Sequence, residues 1–308
     1  MADAMVFPGQ GSQAVGIQAD LAGNCSEVAD TWTEAGEVLG YDVWALVQSG
    51  PAEELARTTI TQPVMLAAGV AAFRAWRRGG GRMPVALAGH SLGEYSALVA
   101  AGAMEFADAM RVVKRRSELM RDAGTSAAGK MAAIIGLDDE TLVDMCQRVA
   151  DSEVVEAVNF NAPGQVVVAG HVAAVDRVIE AAKSAGARAA LPLPVTVAAH
   201  SSLMRPAGEA LTAALAEVEI NAPAVTVIAA SDGRPYVDGD DIRQRLASQV
   251  YSPVQWVRTI EALLALGADR VVECGPGRVL AGLMRRIDRR FPVATLDSAD
   301  GLSTALAA

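Results

Sequence analysis

The chain is poor in aromatic residues, which make up only 4% of its 308 positions. Its core must therefore be filled by alanine, valine, leucine and isoleucine, a composition that favours helices layered on a sheet over a β-sandwich. The shortage also argues against a single-stranded nucleic-acid surface, which needs rings for base stacking. Basic residues are outnumbered by acidic ones, 26 against 36, and the net charge of −10 argues against nucleic acid as a partner of the whole surface.

Cysteine and long apolar runs are scarce as well. Cys25, Cys146 and Cys274 are widely spaced, with no Cys-x-x-Cys pair and no histidine at ligand spacing, so we expect neither a disulfide framework nor a bound metal. The longest uncharged runs, 58–73 and 189–204, contain polar residues and are shorter than the roughly 20 residues of a membrane span. The amino terminus is acidic where a targeting peptide would be basic. These features predict a cytoplasmic protein without a membrane partner.

Hydrophobic periodicity predicts an α/β fold for the two ends of the chain. Apolar strands at Ala4–Phe7 and Pro84–Ala88 alternate with helices at Thr61–Arg77 and Phe106–Asp122. The alternation resumes after residue 195, with strands predicted at Ala224–Ala230 and 269–275 and helices at Leu203–Glu217, Asp241–Val250, Val254–Leu266 and Val279–Arg290. We expect residues 1–127 and 196–308 to form one large domain around a parallel sheet with helices on both faces.

The order of predicted strands and helices changes in residues 128–195, which predicts a small inserted domain. Its elements read strand, helix, strand, strand, helix, strand, the order of a ferredoxin-like βαββαβ module. The predicted bounds are 131–137, Asp138–Ala150, 154–161, 165–171, Val172–Ser184 and 187–194. The insertion would divide the large domain into two discontinuous segments.

The segment Gly89-His90-Ser91-Leu92-Gly93 matches the pattern G-x-S-x-G between an apolar strand and a helix. Glycines on both sides permit the sharp strand-to-helix turn that exposes a nucleophilic serine, and the helix directs free N–H groups at the reacting centre. The alternative interpretation is an ordinary serine cap at a helix start. In this context the pattern favours Ser91 as a nucleophile.

A serine nucleophile needs a base, and the chain offers only three histidines. The side chain of His90 would point away around the turn, and His171 closes a strand of the small module. His200 stands where the chain re-enters the large domain, so elimination favours it as the general base. Between Ser91 and His200 no acidic residue is an evident third triad member, so a carbonyl or an amide is left to orient the base.

One arginine of the helix predicted at Phe106–Asp122 departs from the amphipathic pattern. Arg115 falls on the charged stripe, whereas Arg116 falls on the apolar stripe beside Val112 and Met120. A buried guanidinium needs an anion, because an unpaired buried charge costs several kcal/mol or more. Two interpretations stay open: an internal salt bridge, or a bidentate clamp for a substrate carboxylate.

Three other patterns carry weaker signals. Gly9–Ala14 formally fits a dinucleotide-binding turn but lacks the acidic ribose partner, and Gly124–Lys130 resembles a P-loop but is followed by methionine and a strand. We reject both. A cluster of basic residues near the carboxyl end is either a solvated face or a docking site for an acidic partner; it comprises Arg285, Arg286, Arg289 and Arg290.

Several of these segments together closely resemble the malonyl-CoA:acyl carrier protein transacylase family of bacterial fatty acid synthesis. The resemblance covers nearly the whole chain in one order. Its motifs are FPGQGSQ at 7–13, GHSLGEYSALVAAG at 89–102, Arg116, VNFNAPGQVVVAG at 158–170, PLPVTVAAH at 192–200, YSPVQW at 251–256 and ECGPGRVL at 273–280. Seven separate matches make it far more specific than the serine turn alone.

The resemblance implies a hydrolase-like large domain, a ferredoxin-like small domain and an active site in the cleft between them. It also implies malonyl-CoA as substrate, no permanently bound cofactor, a transient acidic acyl carrier protein as partner, and ping-pong transfer. The implied roles are Ser91 as nucleophile, His200 as base, the Gln10 and Leu92 N–H groups as oxyanion hole, Arg116 as malonyl carboxylate ligand, the Gln249 carbonyl as support for His200, and Asn161 as a further cleft residue.

The sequence departs from the family pattern at three places. Ala198 and Ala199 replace a common Pro-Ser pair beside the acyl pocket, Ala229 and Ala230 stand where an asparagine is common, and Cys274 replaces an aliphatic residue. The alternatives that we keep are a serine esterase or thioesterase, a polyketide-pathway acyltransferase, and a non-catalytic scaffold domain. With no carrier or ketosynthase segment in this sequence, we expect a stand-alone enzyme.

Overall fold

Two separate β-sheets organise the computed structural model of the chain, which describes residues 2–308. The strands are β1 (Asp3–Phe7), β2 (Ala86–Gly89), β3 (Gly129–Ile135), β4 (Val155–Ala162), β5 (Gln165–His171), β6 (Ala189–Pro192), β7 (Thr226–Ile228), β8 (Arg270–Glu273) and β9 (Val293–Thr295). One sheet has the order β7-β2-β1-β8-β9 and is parallel throughout. The other has the order β4-β5-β3-β6 and is antiparallel.

Helices separate these strands along most of the chain. They are α1 (Ala19–Asn24), α2 (Ser26–Leu39), α3 (Val43–Ser49), α4 (Ala52–Leu55), α5 (Thr58–Arg78), α6 (Gly93–Ala100), α7 (Phe106–Ser126), α8 (Asp139–Val149), α9 (Val172–Ser184), α10 (Arg205–Ala216), α11 (Gly239–Gln249), α12 (Trp256–Ala265), α13 (Val279–Ile287) and α14 (Ala299–Ala307). None of the helices described over 2–308 is long and apolar enough to cross a membrane.

The parallel sheet joins the two ends of the chain, as the periodicity predicts. Its central strand β1 pairs with β2 from the amino-terminal segment and with β8 from the carboxy-terminal segment. Alternate residues of β1 face opposite cores: Met5 and Phe7 pack in one apolar cluster, Ala4 and Val6 in another. Burial on both faces explains why these strands are continuous apolar runs rather than alternating ones.

The antiparallel sheet is formed within residues 128–195 and is likewise covered on both faces. Ile134 and Val166 pack beneath α8 and α9, whereas Met131 and Val167 belong to a second cluster that includes Ala198 from the large unit. Strand β4 also binds the segment before α12, because the Val254 N–H donates to the Val158 carbonyl at 2.7 Å. This hydrogen bond attaches the small unit, residues 128–195, to the segment that precedes α12.

The predicted elements and the observed ones differ in three regions. Residues 19–55, for which the sequence analysis gives no element bounds, form the four helices α1 to α4, and the last elements β9 and α14 are not predicted either. Helices of four to seven residues and a three-residue edge strand offer too few repeats for a periodic signal. Strand β7 is also shorter than the predicted Ala224–Ala230.

Candidate active site

Ser91 lies in a strained turn between β2 and α6. Its backbone φ is +53°, in the left-handed region that residues with a Cβ rarely adopt. Two close approaches hold the turn. A Cβ on Gly93 would lie 2.1 Å from the Phe7 carbonyl oxygen, and a Cβ on Gly9 would lie 2.6 Å from the His90 carbonyl oxygen. Because only glycine fits at both positions, the loop after β1 can press against the serine turn.

His200 approaches Ser91 from the segment that follows the small unit. The serine Oγ and the His200 Nε2 are 2.8 Å apart. The other ring nitrogen, Nδ1, faces two backbone carbonyl oxygens, that of Gln249 at 2.9 Å and that of Ser252 at 3.2 Å. Carbonyls only accept, so Nδ1 carries the proton and Nε2 is free to accept from the serine hydroxyl. No acid is needed to orient the ring.

The surroundings of His200 keep its imidazole neutral. Burial first, and the positive charge of Arg116 second, lower the pKa of His200 to about 3. The side chain is 3% exposed, and the backbone φ of +67° shows that this residue is held in an unusual conformation. At neutral pH the ring is therefore a ready proton acceptor for the Ser91 hydroxyl, which the general-base interpretation requires.

Two backbone N–H groups near Ser91 have no partner among the residues that the structure describes. Neither the Gln10 nor the Leu92 N–H donates a hydrogen bond within residues 2–308. Leu92 opens α6, and the Cβ position of the neighbouring Gly9 would be only 3.8 Å from the Leu92 nitrogen. Free N–H groups at a helix start can stabilise negative charge on an acyl oxygen.

Arg116 on α7 reaches the same centre, although its residue is only 1% exposed. Its Nη1 donates to Gln62 Oε1 at 2.5 Å, and its Nη2 donates to Gln249 Oε1 at 2.9 Å and to Ser91 Oγ at 3.3 Å. No carboxylate of residues 2–308 lies within 4.0 Å of its nitrogens. The internal salt bridge that the sequence left open is therefore not formed. A buried cation with neutral partners can still bind an anion.

A second layer of polar groups, which sequence reasoning missed, lies under Arg116. The Gln249 amide Nε2 donates to the Ser91 carbonyl at 2.9 Å and to Glu94 Oε2. The other Glu94 oxygen accepts the Ala230 N–H. Glu94 is completely buried, and this burial raises its pKa to about 7. A glutamate within the apolar helix start GEYSALVA was a signal of the same kind as Arg116, since buried charges are rarely accidental.

The remaining histidines lie outside the Ser91 pair. His90 Nε2 is 2.8 Å from Asn161 Oδ1 on β4, and its ring centre is 5.2 Å from that of Trp256. The His90 side chain therefore points away from the serine, as expected, and Asn161 links the small unit to the turn. His171 ends β5, where its Nδ1 accepts a backbone N–H within the small unit.

The places where the sequence departs from the family pattern are well packed. Ala198 is buried against the start of β3, since a Cβ on Gly129 would lie 2.6 Å from the Ala198 nitrogen. The Ala230 backbone N–H donates to Glu94, and a different side chain at this position would leave that N–H in place. Cys274 is buried, with its Sγ 3.6 Å from the Gly69 carbonyl oxygen.

The basic cluster lies on and beyond α13, away from the serine turn. Arg286 donates to Gln165, Arg290 pairs with Asp288, and Arg285 and Arg289 line a surface groove of about 330 Å³ with Phe291 and Val293. Among the residues that the structure describes, no group of three or more histidine, cysteine or acidic side chains could hold a metal. The candidate chemistry therefore rests on Ser91, His200 and Arg116.

Comparisons with known proteins identify the family to which the chain is similar. Residues 4–296 match the model of the acyl transferase domain family. The chain is 50% identical over 303 residues to the malonyl CoA-acyl carrier protein transacylase of Escherichia coli (strain K12), covering 98% of each protein. It superposes with a TM-score of 0.98 on the malonyl CoA-acyl carrier protein transacylase of Coxiella burnetii, at 42% identity over 100% of this chain and 97% of that one.

A second similar structure holds a partner. It contains a type II PKS acyl-carrier protein in complex with its malonyl-transacylase, and the likeness has a TM-score of 0.98 at 47% identity, over 100% of this chain and 99% of that one.

Proposed function

The chain belongs to the malonyl CoA-acyl carrier protein transacylase family of acyltransferases, and on this premise we propose that it transfers malonyl groups through a malonyl-serine intermediate. The donor is malonyl-CoA and the acceptor is the phosphopantetheine thiol of an acyl carrier protein. The reaction supplies extender units for fatty acid synthesis. The observation that carries the choice of donor is the unpaired Arg116 guanidinium 3.3 Å from the Ser91 hydroxyl.

In the first half-reaction Ser91 takes the malonyl group. His200 Nε2 accepts the hydroxyl proton as Oγ attacks the thioester carbonyl, and the N–H groups of Gln10 and Leu92 hold the oxyanion. A general base contributes typically about 10²- to 10⁴-fold in rate, and one oxyanion donor about 10²- to 10³-fold. The carbon–sulfur bond then breaks, and the CoA thiolate leaves with the proton from His200.

The second half-reaction repeats these steps with the carrier thiol as nucleophile. The thiol gives its proton to His200 and its sulfur attacks the malonyl-serine carbonyl. When the tetrahedral intermediate collapses, the new thioester forms and His200 returns the proton to Ser91 Oγ. The single exchangeable proton on His200 Nε2 serves both directions, since Nδ1 stays bonded to the Gln249 and Ser252 carbonyls.

Arg116 selects the acyl group by its charge. Three of the four terminal N–H groups of the guanidinium donate to the Gln62 and Gln249 amide oxygens and, at 3.3 Å, to Ser91 Oγ, so one terminal N–H and the buried Nε–H are left for a carboxylate. A malonyl group fills this site, whereas an acetyl group leaves the buried cation without an anion. A carboxylate fixed at its far end also presents its thioester carbonyl to Ser91 in a defined orientation.

The same proposal covers the finer architecture. Residues 1–127 and 196–308 form a hydrolase-like large domain, and 128–195 form a ferredoxin-like small domain whose strand order β4-β5-β3-β6 supports this assignment. The cleft between them holds the site, with Asn161 reaching His90 across it. The cytoplasmic location and the docking of the carrier on the arginine cluster stay predictions.

A serine esterase or thioesterase is the second candidate, since Ser91 and His200 alone suit it. Such an enzyme has no use for a buried cation 3.3 Å from the nucleophile, and it releases the acyl group to water. A polyketide pathway would differ from fatty acid synthesis in the carrier protein that accepts the malonyl group and not in the chemistry of transfer. One similar structure holds such a carrier. The Arg116 position favours the transacylase.

Mass spectrometry of the intact protein tests the proposal. After incubation with malonyl-CoA we expect a malonyl adduct on the peptide that contains Ser91, discharged by holo but not by apo acyl carrier protein. Ser91→Ala should carry no adduct, and His200→Asn should form it slowly. Rapid release of malonate to water, or an adduct that the holo carrier leaves in place, would contradict transfer and favour the hydrolase.

A further inference from the structure

Glu94 is a buried carboxylate that the transfer steps above do not use. It lies in the first turn of α6, three residues after Ser91, with 0% exposure. Its two oxygens have different partners, the Ala230 N–H and the Gln249 Nε2. The Gln249 amide in turn presents its Oε1 to the Nη2 of Arg116 at 2.9 Å. A single amide thus connects the buried acid to the buried cation.

The orientation of the Gln249 amide decides whether this connection works. An amide has an acceptor on one side and two donors on the other, and turning it by 180° exchanges them. With Nε2 toward Glu94 and the Ser91 carbonyl, Oε1 must face Arg116. The reverse orientation would place an NH₂ group against the guanidinium, donor against donor. Two acceptors on the Nε2 side, one of them ionisable, select the productive orientation.

The spacing matters as much as the orientation. A carboxylate in direct contact with Arg116 would fill the place that a substrate carboxylate needs. One amide further away, Glu94 still attracts the guanidinium through the low-dielectric interior without itself occupying any of the guanidinium N–H groups. Gln62 on α5 holds the opposite end of the guanidinium at 2.5 Å. Arg116 is therefore fixed in place by neutral groups.

We propose that Glu94 is a positioning residue for acyl-group selection, acting through the side chain of Gln249 to hold Arg116 ready for the malonyl carboxylate. The inference rests on the proposed function, because it concerns the choice of donor. It assigns Gln249 a second role in its side chain, separate from the backbone carbonyl that supports His200.

The test compares donors rather than rates. In Glu94→Gln the new NH₂ group faces the Gln249 NH₂ group, so the Gln249 amide turns and Arg116 loses its acceptor. We expect the ratio of kcat/KM for malonyl-CoA to that for acetyl-CoA to fall by roughly tenfold, which corresponds to about 1.4 kcal/mol, mostly through KM for malonyl-CoA, since the buried groups are coupled. Acetyl transfer should change little.

Glu273→Gln is the matched control. Glu273 is also fully buried, has a pKa raised to about 7 by burial, and accepts two backbone N–H groups, those of Leu280 and Ala281 at the start of α13. A merely structural role for a buried carboxylate would affect both variants alike. We expect Glu273→Gln to change thermal stability and to leave the donor ratio as it is.

A double-variant cycle tests the route. Gln249→Leu keeps the backbone carbonyl but removes the amide, so it should lower the donor ratio by itself, and adding Glu94→Gln should lower it no further. An unchanged ratio in either single variant, or a further fall in the double variant, would overturn the inference. If Glu94→Gln does not fold, the Gln249→Leu ratio decides. A wild type without malonyl preference would instead overturn the proposed function.

Discussion

Two arginines are buried among residues 2–308, and they are satisfied in opposite ways. Arg270 on β8 is bound by a carboxylate, with its Nε 2.7 Å from Asp3 Oδ1 and its Nη2 3.0 Å from Asp3 Oδ2, and its Nη1 donates to the Ala305 carbonyl at 2.9 Å. Arg116 is buried even more deeply, but its hydrogen bonds go only to amide and hydroxyl oxygens. The first is a bidentate ion pair; the second is a cation without a counter-ion.

The two arginines therefore have different roles, Arg270 in stability and Arg116 in function. A buried ion pair is internally complete, so Arg270 can join the two ends of the chain at β1 and β8 but has nothing left for a ligand. A buried cation with neutral partners keeps much of its desolvation cost, which folding alone would select against. An incoming carboxylate supplies what Arg116 lacks. The missing acid is therefore the informative feature, more than the arginine itself.

The largest effect should come from removing the unpaired cation. In Arg116→Met we expect kcat/KM for malonyl transfer to fall by roughly 10³-fold, because truncating one partner of a buried charge pair costs about 2–5 kcal/mol. Thermal stability should stay equal or rise, since an uncompensated charge leaves the core. Steady-state kinetics and calorimetry on one preparation check both parts. A loss of stability without a change of donor preference would contradict the comparison.

Removing the paired cation should do the reverse. In Arg270→Met the Asp3 carboxylate is left buried and alone, and we expect the free energy of unfolding to fall by about 3–5 kcal/mol. Malonyl transfer below the unfolding range should stay within about twofold of wild type. Replacing Asp3 by leucine as well should restore most of the stability, as measured by denaturant unfolding. An Arg270→Met protein of wild-type stability would show that the pair contributes nothing.

Much of this fold could be predicted because its signals are local. Helix α9 has the predicted bounds Val172–Ser184, and the shared parallel sheet follows from apolar runs at Ala4–Phe7 and 269–275. The order of the strands is set by packing between distant segments, which periodicity does not encode. Helices α1, α3 and α4 are too short to repeat their pattern, and the burial of the helices in 19–55 depends on packing in the same core as α5.

The residues of the candidate site divide in the same way, into those with a local sequence signal and those whose role depends on contacts between distant segments. Ser91 and Arg116 could be singled out because each breaks a local rule, a serine between glycines and a cation on an apolar stripe. The family resemblance adds Gln10, Leu92 and Gln249 as positions, and their roles stay proposals. The partners of Arg116 could not be found from sequence, because Gln62 on α5 lies 54 residues away and nothing local marks it as an acceptor.

A carboxylate introduced beside Arg116 should make it resemble Arg270. In Gln62→Glu the new acid replaces an amide oxygen 2.5 Å from Nη1 and competes with the substrate carboxylate. We expect kcat/KM for malonyl-CoA to fall by about 10- to 100-fold, mostly through KM, with acetyl transfer nearly unchanged. Gln62→Leu serves as control, since it removes the acceptor without adding charge. Equal losses in the two variants would contradict competition by the new carboxylate.

The smallest effect should appear in the pH dependence of the base. His200 has its pKa lowered from 6.5 to about 3 by burial first and by the Arg116 charge second. Its neutral state therefore contributes stability that is present above pH 6.5 and is lost as the pH falls toward 3. Removing a positive charge favours the imidazolium, so the pKa of His200 should rise in Arg116→Met, by about one unit or less. Arg270, paired with its own acid, should have no such influence.

The acid limb of Ser91 acylation by acetyl-CoA measures this shift without requiring the malonyl carboxylate. We expect the limb to move to higher pH in Arg116→Met and to stay at the wild-type position in Arg270→Met. A limb that stays fixed in both variants would mean that the unpaired charge of Arg116 is already neutralised within the folded protein. The two buried arginines would then differ in their hydrogen-bond partners but not in their electrostatic effect on His200. The interpretation that Arg116 is kept unpaired for a substrate carboxylate would then lose its electrostatic basis.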